Sequence, residues 1–227
     1  MRAVVYRGPG RVAIEQVADP SIIESTDAIV RVTLAGICGT DLHAIKGDFP
    51  GVEPGTVLGH EFVGEVIEIG QAVRRIRRGD EVMASDFTAC GQCRWCDRQE
   101  HWHCGVRAFF GTGTAFGPAL AGAQAQYVRV PHADRTLGPR PEGCSPEAAL
   151  LMGDNLATGW VAIERARVEP GECVVVIGGG AVGQLTALAA QTIGAGAVVV
   201  VEPDAARRAF AERHGALAAT PEQAAAL

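Results

Sequence analysis

The feature that most constrains the fold is a run of β-branched residues that ends in glycines. The apolar segment Cys173–Ile177 leads directly into the sequence GGGAVG at residues 178–183, and the pattern after it predicts a helix over Val182–Ile193. A second valine-rich segment, Ala197–Val201, precedes another predicted helix, Asp204–Arg213. Continuous apolar strands that alternate with helices are typical of a parallel sheet covered on both faces. This part of the chain is therefore predicted to be α/β.

The glycine-rich turn has the pattern G-x-G-x-x-G between a strand and a helix, which is typical of dinucleotide-binding sites. Gly178 permits a tight turn, Gly180 lets the backbone approach a pyrophosphate, and Gly183 lets the helix pack on the strand. Ala181 and Val182 lie at the start of the helix, where free N–H groups and a partial positive charge favour phosphate. We expect these five residues to contact the cofactor.

An acidic residue at the end of the next strand indicates which dinucleotide is bound. Glu202 lies 24 positions after Gly178, near the spacing expected for a carboxylate that binds the adenosine ribose. Such a carboxylate accepts hydrogen bonds from the ribose hydroxyls and repels a 2′-phosphate, which favours NAD over NADP. Arg207 and Arg208 leave the alternative open, because an arginine here can bind that phosphate, but we favour them as solvent-facing helix residues.

The first part of the chain has a different pattern. Short β-branched stretches are separated by glycine, proline and aspartate, which predicts antiparallel strands joined by turns and long loops. The predicted strands are Met1–Tyr6, Ala28–Leu34, Phe62–Ile69, Glu81–Ala84 and Gln126–Val130. Helices are predicted where the pattern changes, over Pro146–Met152 and Leu156–Arg165. We therefore expect two domains, residues 1–153 and 154–227, with a mixed β and α/β fold.

The second domain shows only two strand–helix units in the sequence. A stable open sheet usually has more strands. We therefore expect an interrupted domain in which Val198–Val201 forms an exposed edge that favours aggregation.

Four cysteines within fifteen residues predict a metal site. The spacing is C-x2-C-x2-C-x7-C, and four thiolates from one loop can close a tetrahedral shell around a structural zinc ion. The predicted ligands are Cys90, Cys93, Cys96 and Cys104. Four reduced cysteines and an iron–sulfur cluster are the alternatives. His101 and His103 could replace a cysteine, but with four thiols available we expect them to lie on the surface.

Composition excludes several classes of partner. Twenty basic and 26 acidic side chains give a formal net charge of −6, so the chain has no basic surplus for nucleic acid or an anionic membrane. The N-terminal segment MRAVVYRGPG lacks the apolar stretch of a secretory signal, and no apolar run is long enough to span a bilayer. We expect a cytoplasmic protein that binds neither nucleic acid nor membrane.

Two further motifs complete the pattern. Residues 36–43 read GICGTDLH and residues 59–61 read GHE. Together with the cysteine cluster and the glycine-rich turn, these motifs resemble the zinc-dependent medium-chain alcohol dehydrogenase family along the whole chain. The resemblance implies a GroES-like β-rich catalytic domain followed by a partial Rossmann nucleotide-binding domain.

The resemblance also implies a second, catalytic zinc ion. Cys38 and His60 match two of its ligands, and the position of the third is Asp154. This departs from a pattern of two cysteines and one histidine, although bacterial branches of the family use aspartate there. The alternative for Asp154 is a helix N-cap. Glu61 matches an alternative or outer ligand, and Asp41 matches a carboxylate that orients the zinc-bound histidine.

The remaining roles are implied in the same way. Thr40 would accept the substrate's hydroxyl proton and pass it to His43, whose ordinary pKa lies near neutrality. His43 could equally be a solvent-facing histidine without a function. Thr158 would lie beside the nicotinamide ring.

These expectations describe a zinc-dependent oxidoreductase with two zinc ions per chain that transfers hydride between NAD and a small alcohol, aldehyde or ketone. The full-length enzyme is expected to be a homo-oligomer. The zinc-free quinone or enoyl reductase branch shares the glycine motif but lacks these ligands. The second alternative is a truncated, non-catalytic fragment that binds zinc and nucleotide. The substrate is not evident, although five aromatic residues could line its pocket: Phe87, Trp102, Phe109, Phe110 and Phe116.

Overall fold

The computed structural model describes residues 1–224 of the chain. The chain forms two compact units, Met1–Gly153 and Asp154–Leu227. None of the helices within residues 1–224 combines the length and apolar character that a membrane span requires.

The first unit is built mainly of antiparallel strands. Its strands are β1 (Arg2–Gly8), β2 (Arg11–Gln16), β3 (Ala28–Ala35), β4 (Phe62–Ile69), β5 (Glu81–Ala84), β6 (Phe87–Thr88), β7 (Ala108–Phe109), β8 (Tyr127–Val130) and β9 (Leu137–Pro139). Its helices are α1 (Gly39–Lys46), α2 (Arg94–Asp97), α3 (Ala133–Thr136) and α4 (Pro146–Gly153), with a 3₁₀ turn at His101–His103.

The core of this unit is a five-stranded antiparallel sheet in the order β8-β3-β4-β5-β9. Val30, Val66 and Val128 face its buried side, and Val30 lies opposite both Val66 on β4 and Val128 on β8. All five strands predicted for this region are confirmed, each within two residues of its expected bounds. The helix predicted from Pro146 is also confirmed.

The sequence prediction missed β2, which forms a hairpin with β1. Its side chains alternate between half-buried and exposed positions, so it lacks the strong apolar pattern of the sheet. The Pro9-Gly10 turn ahead of it is a signal that could have revealed it.

The second unit is a parallel sheet with helices. Its elements are α5 (Asn155–Ala166), β10 (Cys173–Ile177), α6 (Ala181–Thr192), β11 (Ala197–Val201), α7 (Ala205–Arg213), β12 (Leu217–Ala219) and α8 (Pro221–Ala224). The sheet has the order β10-β11-β12, and all its pairings are parallel. Val198 and Val200 pack with small residues of α6, including Ala187 and Ala190, to form the core. The predicted α/β fold is confirmed.

The expectation of an exposed edge at Val198–Val201 is wrong. Strand β11 is the middle strand, because β12 pairs with it through Val199 opposite Leu217 and Val201 opposite Ala219. The prediction failed because β12 has only three residues, two of them alanine, and alanine gives a weak strand signal.

Candidate metal centres and nucleotide-binding loop

The four predicted cysteine ligands lie together in the loop between β6 and β7. Their Sγ atoms all lie within 4.8 Å of one another. The Sγ atoms of Cys93 and Cys96 are 3.6 Å apart, as are those of Cys90 and Cys104. A tetrahedral zinc with Zn–S bonds of about 2.3 Å has S···S edges of about 3.8 Å. The donor set therefore fits one zinc ion, whereas a cluster of several iron atoms would spread the sulfurs further apart.

Backbone amides point at these sulfur atoms. Cys90 N donates to Cys104 Sγ at 3.4 Å, and Gly91 N donates to Cys96 Sγ at 3.3 Å. A hydrogen bond from the backbone of Cys96 lowers the pKa of Cys93 to about 7. Burial raises the pKa of Cys96 to about 11. A cation is needed to hold the buried thiol as a thiolate at neutral pH, and bound zinc would supply that charge.

The two histidines beside the cluster are exposed, as expected. They belong to the 3₁₀ turn His101–His103, and the ring of His103 packs on Trp95 with centroids 5.2 Å apart.

The second donor set forms where two paired strands end. Ala35, the last residue of β3, pairs with Phe62, the first residue of β4, and Gly36 N donates to Glu61 O at 2.9 Å. This pairing brings the residue after one strand close to the residues before the other. The donor atoms of Cys38, His60 and Glu61 lie within 4.8 Å of one another.

A buried carboxylate supports this set. His60 is 1% exposed and Asp41 is 2% exposed. His60 Nδ1 lies 3.2 Å from Asp41 Oδ1, and Cys38 N donates to Asp41 Oδ2 at 2.9 Å. Thiolate, imidazole and carboxylate are the donors that zinc takes in proteins, so these residues fit the ion.

The predicted relay residues lie on helix α1, which begins directly after Cys38. Thr40 Oγ1 lies 3.9 Å from Cys38 Sγ. His43, three residues along and on the same side of the helix, is exposed, and its Nδ1 lies 2.8 Å from Asp48 Oδ2. Thr40 is therefore near the donor set, and His43 is in contact with solvent.

Asp154 and Thr158 belong to the second unit, at the start of α5. Asp154 stands at the N-cap position of this helix, but its side chain makes no capping hydrogen bond to the backbone. Its Oδ1 instead accepts a hydrogen bond from the Thr158 hydroxyl at 3.1 Å. The N-cap alternative thus lacks its defining contact, and Asp154 as a zinc ligand stays a prediction.

The glycine-rich loop has the backbone that a nucleotide site requires. Gly178 has a φ of 98°, in the left-handed region that favours glycine. A Cβ at Gly183 would collide with the carbonyl oxygen of Gly178, so this position allows the close approach of helix and strand. Apart from its neighbours in the chain, no atom of residues 1–224 lies within 4 Å of a Cβ placed on Gly180, which leaves the turn open to a ligand. Ala181 and Val182 form the first turn of α6 behind it.

Glu202 is 4% exposed and already fixed by the loop. Its Oε2 accepts from Gly179 N at 2.6 Å and its Oε1 accepts from Asp204 N at 2.9 Å. The bonds from Asp204 and Gly179 lower the pKa of this carboxyl, so it is ionised at neutral pH. The carboxylate thus ties the end of β11 to the glycine turn, a contact that the sequence did not predict.

The two arginines after Glu202 have different surroundings. Arg208 Nη1 donates to the carbonyl oxygens of Glu202 and Pro203, at 2.7 and 2.6 Å. The side chain of Arg207 is 61% exposed, and its Nη1 lies 3.9 Å from Glu202 Oε2. Arg208 is therefore held by the backbone, and Arg207 is the more available of the two to a ligand.

Four of the five candidate pocket aromatics form one cluster, Phe87, Trp102, Phe109 and Phe116, with neighbouring ring centroids 5.3 to 6.1 Å apart. Phe109 also lies beside His60, with ring centroids 5.2 Å apart. Phe110 is fully buried against Phe62. The cluster therefore flanks the second donor set, while Phe110 belongs to the core.

Comparison with known proteins agrees with this architecture. Residues 24–141 match the alcohol dehydrogenase GroES-like domain. A probable zinc-binding alcohol dehydrogenase of Mycobacterium tuberculosis is 44% identical over 202 residues, which are 89% of this chain and 51% of that protein. A medium chain reductase/dehydrogenase of an Acremonium species is 38% identical over 222 residues, 95% of this chain and 74% of that protein.

A solved structure gives the same result. Alcohol dehydrogenase TADH from Thermus sp. ATN1 superposes with a TM-score of 0.94 and 40% identity, over 98% of this chain and 64% of that one. The chain spans about half the length of the Mycobacterium relative. The chain belongs to the zinc-dependent medium-chain alcohol dehydrogenase family, and its GroES-like domain is matched over residues 24–141.

Proposed function

We propose that the protein is a zinc-dependent oxidoreductase that transfers hydride between NAD and a small alcohol, aldehyde or ketone. The observation that carries this proposal is the donor set of half-buried Cys38 with buried His60 and Glu61, backed by Asp41. A separate four-cysteine set supports a second, structural zinc ion in the same chain. Membership of the family agrees with both.

In the proposed catalytic site, Cys38, His60 and Asp154 would hold zinc, and Glu61 would be an alternative ligand. Zinc bound there would act as a Lewis acid and lower the pKa of a substrate hydroxyl. Asp41 Oδ1, 3.2 Å from His60 Nδ1, would orient the imidazole ring so that Nε2 is the metal ligand. The protein's own contribution is to fix these donors in a buried setting before the substrate arrives.

Thr40 and His43 provide a route for the proton. Thr40 lies beside Cys38 and would accept the hydroxyl proton as it passes its own proton on to the His43 imidazole, which would release it to solvent at the exposed side of α1. Asp48 holds the ring of His43 in place through its contact with Nδ1. The relay therefore starts at the buried donor set and ends at an exposed histidine.

The second unit is proposed to bind the cofactor. Gly178, Gly180 and Gly183, with Ala181 and Val182, would hold the pyrophosphate at the N-terminus of α6. Glu202 would bind the adenosine ribose and disfavour a 2′-phosphate, which supports NAD over NADP. Thr158 would lie beside the nicotinamide.

Other features bear on the substrate and the setting. The aromatic cluster beside His60 supports a substrate with an apolar substituent. We infer a cytoplasmic location, because a reducing compartment would keep the thiols of the two donor sets available to a metal. The net charge of −6 disfavours nucleic acid and anionic membranes as partners. Homo-oligomerisation is proposed from the family resemblance alone.

The test compares Cys38→Ser with Cys173→Ser, an exposed cysteine outside both donor sets. Zinc is counted by elemental analysis, and NADH formation is followed with primary and secondary alcohols. In the full-length enzyme, the unmodified protein and Cys173→Ser should hold two zinc ions per chain and oxidise alcohol, whereas Cys38→Ser should hold one and lose activity. The 227-residue chain alone should be a poor dehydrogenase or an inactive one. Undiminished turnover in metal-free protein, or zinc and NAD binding without any turnover, would contradict the proposal.

A further inference from the structure

Gln124 lies in the segment between β7 and β8, outside the motifs that identify the metal ligands. Its side-chain Nε2 donates to the carbonyl oxygen of Gly36 at 3.0 Å and to Asp41 Oδ2 at 3.2 Å. Gly36 is two residues before Cys38, and Asp41 is the carboxylate beside His60. One amide group thus connects the backbone ahead of one proposed zinc ligand to the carboxylate that orients the other.

The backbone of the same segment also bonds to the two residues directly before His60. Gln124 N donates to Leu58 O, and Ala123 N donates to Gly59 O, both at 2.9 Å. Gly59 has a φ of 97°, and a Cβ there would lie 2.7 Å from Gln124 N. The segments around Gly59 and Gln124 therefore approach as closely as a glycine allows. Gln124 contacts groups that hold both proposed ligands in place.

These contacts require a side-chain amide at position 124, with its NH2 group turned toward Gly36 and Asp41. The Gly36 carbonyl and the Asp41 carboxylate are both acceptors, so the NH2 group of Gln124, with its two donors, must face them. Asp41 Oδ2 then receives hydrogen bonds from Cys38 N and Gln124 Nε2. This leaves Oδ1, at 3.2 Å, for His60 Nδ1.

We propose that Gln124 is a positioning residue of the catalytic zinc site. It fixes the rotation of the Asp41 carboxylate, and through it the orientation of His60 relative to Cys38. This inference rests on the proposed function, because it assumes that Cys38 and His60 bind zinc. It assigns Gln124 no contact with substrate or metal.

The test replaces Gln124 by methionine, which has nearly the same length and no donor. Gln126→Met is the matched control, since Gln126 is exposed and its Oε1 accepts a hydrogen bond from Arg2 N, away from both donor sets. Affinity for zinc is measured by chelator competition, and the ligand geometry by the visible spectrum of Co2+-substituted protein. Gln124→Met should bind the catalytic zinc 10- to 100-fold more weakly, the range typical of lost support for a metal ligand. Gln124→Met should keep the zinc ion of the four-cysteine site, and this retained ion would show that the first unit is folded.

Two further variants make the result decisive. Gln124→Glu places a second carboxylate against Asp41 and should weaken catalytic zinc binding at least as much as methionine does. Gln124→Asn keeps the amide but cannot reach both acceptors, and should fall between methionine and the unmodified protein. Unchanged zinc affinity and Co2+ spectrum in folded Gln124→Met or Gln124→Glu would overturn this inference. Failure of the unmodified protein to bind zinc through Cys38 would instead overturn the proposed function.

Discussion

The two candidate metal sites of the first unit are built in opposite ways. The cysteine site takes all four donors from one loop, between residues 90 and 104. The Cys38 site joins residues 22 positions apart in the sequence, and it depends on the pairing of β3 with β4 and on the polar side chains of Asp41 and Gln124. The first site is local, and the second exists only when the sheet has formed.

The two sites are therefore expected to have different roles, one in the stability of the fold and the other in catalysis. Four thiolates leave no coordination position open, so a zinc ion there serves the fold of its loop. In the proposed Cys38 site, three ligands with Glu61 as an alternative would leave one coordination position for a substrate oxygen. Loss of the cysteine site should therefore mainly lower the stability of the fold. Changes at the Cys38 site, which is assembled from distant residues, should mainly lower metal affinity and turnover.

The largest effect is expected for Cys93→Ser. Structural zinc in small finger domains contributes roughly 10–16 kcal/mol of binding free energy that is coupled to folding. Even a part of this would be a large fraction of the stability of a domain. We expect loss of one zinc ion per chain and a strongly lowered unfolding temperature, measured by elemental analysis and calorimetry.

Cys144→Ser is the control for this variant, because Cys144 lies outside both donor sets and should leave the zinc content and stability nearly unchanged. A Cys93→Ser protein that keeps its unfolding temperature would show that the loop is stable without zinc. The contrast between a structural and a catalytic site would then fail.

The same contrast explains what the sequence could predict. The C-x2-C spacing and the strand–glycine–helix pattern are local, so their residues could be identified from short segments. The proximity of Cys38 and His60 follows once the predicted strands after Ala28 and Phe62 are paired with each other. The sequence alone does not fix that pairing, and here the family resemblance supplied the connection.

Gln124 shows where sequence reasoning ends. Its hydrogen bonds to Gly36 and Asp41 span 88 and 83 positions. It lies between Gly111 and Gln126 in a stretch without regular periodicity, so no local pattern predicts its partners. The bond from Gly179 N to Glu202 was also missed, because Glu202 was assigned to the ribose of the nucleotide and Gly179 had no predicted role.

The second prediction tests whether Asp154 belongs to the assembled site. Asp154→Asn removes a charge but keeps a side chain that can cap a helix. If Asp154 is the third ligand, the catalytic zinc should bind 10- to 100-fold more weakly and turnover should fall in parallel. Chelator competition and steady-state alcohol oxidation measure the two effects.

Asp204→Ala supplies the matched control for a helix cap. Asp204 caps α7 through a hydrogen bond from Arg207 N at 2.9 Å. Its loss should cost about 1 kcal/mol of stability and leave the zinc content at two. If Asp154→Asn behaves in the same way, with full zinc and only a small loss of stability, Asp154 is a structural residue.

The smallest effect is expected at Glu202. Like the cysteine loop, the glycine-rich loop is a local site, and this prediction tests whether its cofactor binding depends on the Glu202 side chain. Glu202→Ala removes the carboxylate proposed to bind the ribose, and hydrogen bonds to a charged group contribute about 1.5–3 kcal/mol each. We expect NAD to bind roughly tenfold more weakly and NADP to improve relative to NAD, as measured by calorimetric titration of both. Arg207→Ala is the control, because it leaves the carboxylate in place and should weaken NADP alone.

The variant Glu202→Gln separates recognition of the ribose from support of the loop. The folded state lowers the pKa of Glu202, so its ionised form stabilises the unit above the ordinary glutamate pKa, near 4.3. That contribution is lost as the pH falls through the lowered value. The unmodified protein should therefore be more stable than Glu202→Gln at pH 7, and the difference should shrink below about pH 4. If the difference in stability between the two proteins does not change with pH, Glu202 does not support the loop through its charge. If the unmodified protein also prefers NADP, Arg207 rather than Glu202 determines the choice of cofactor.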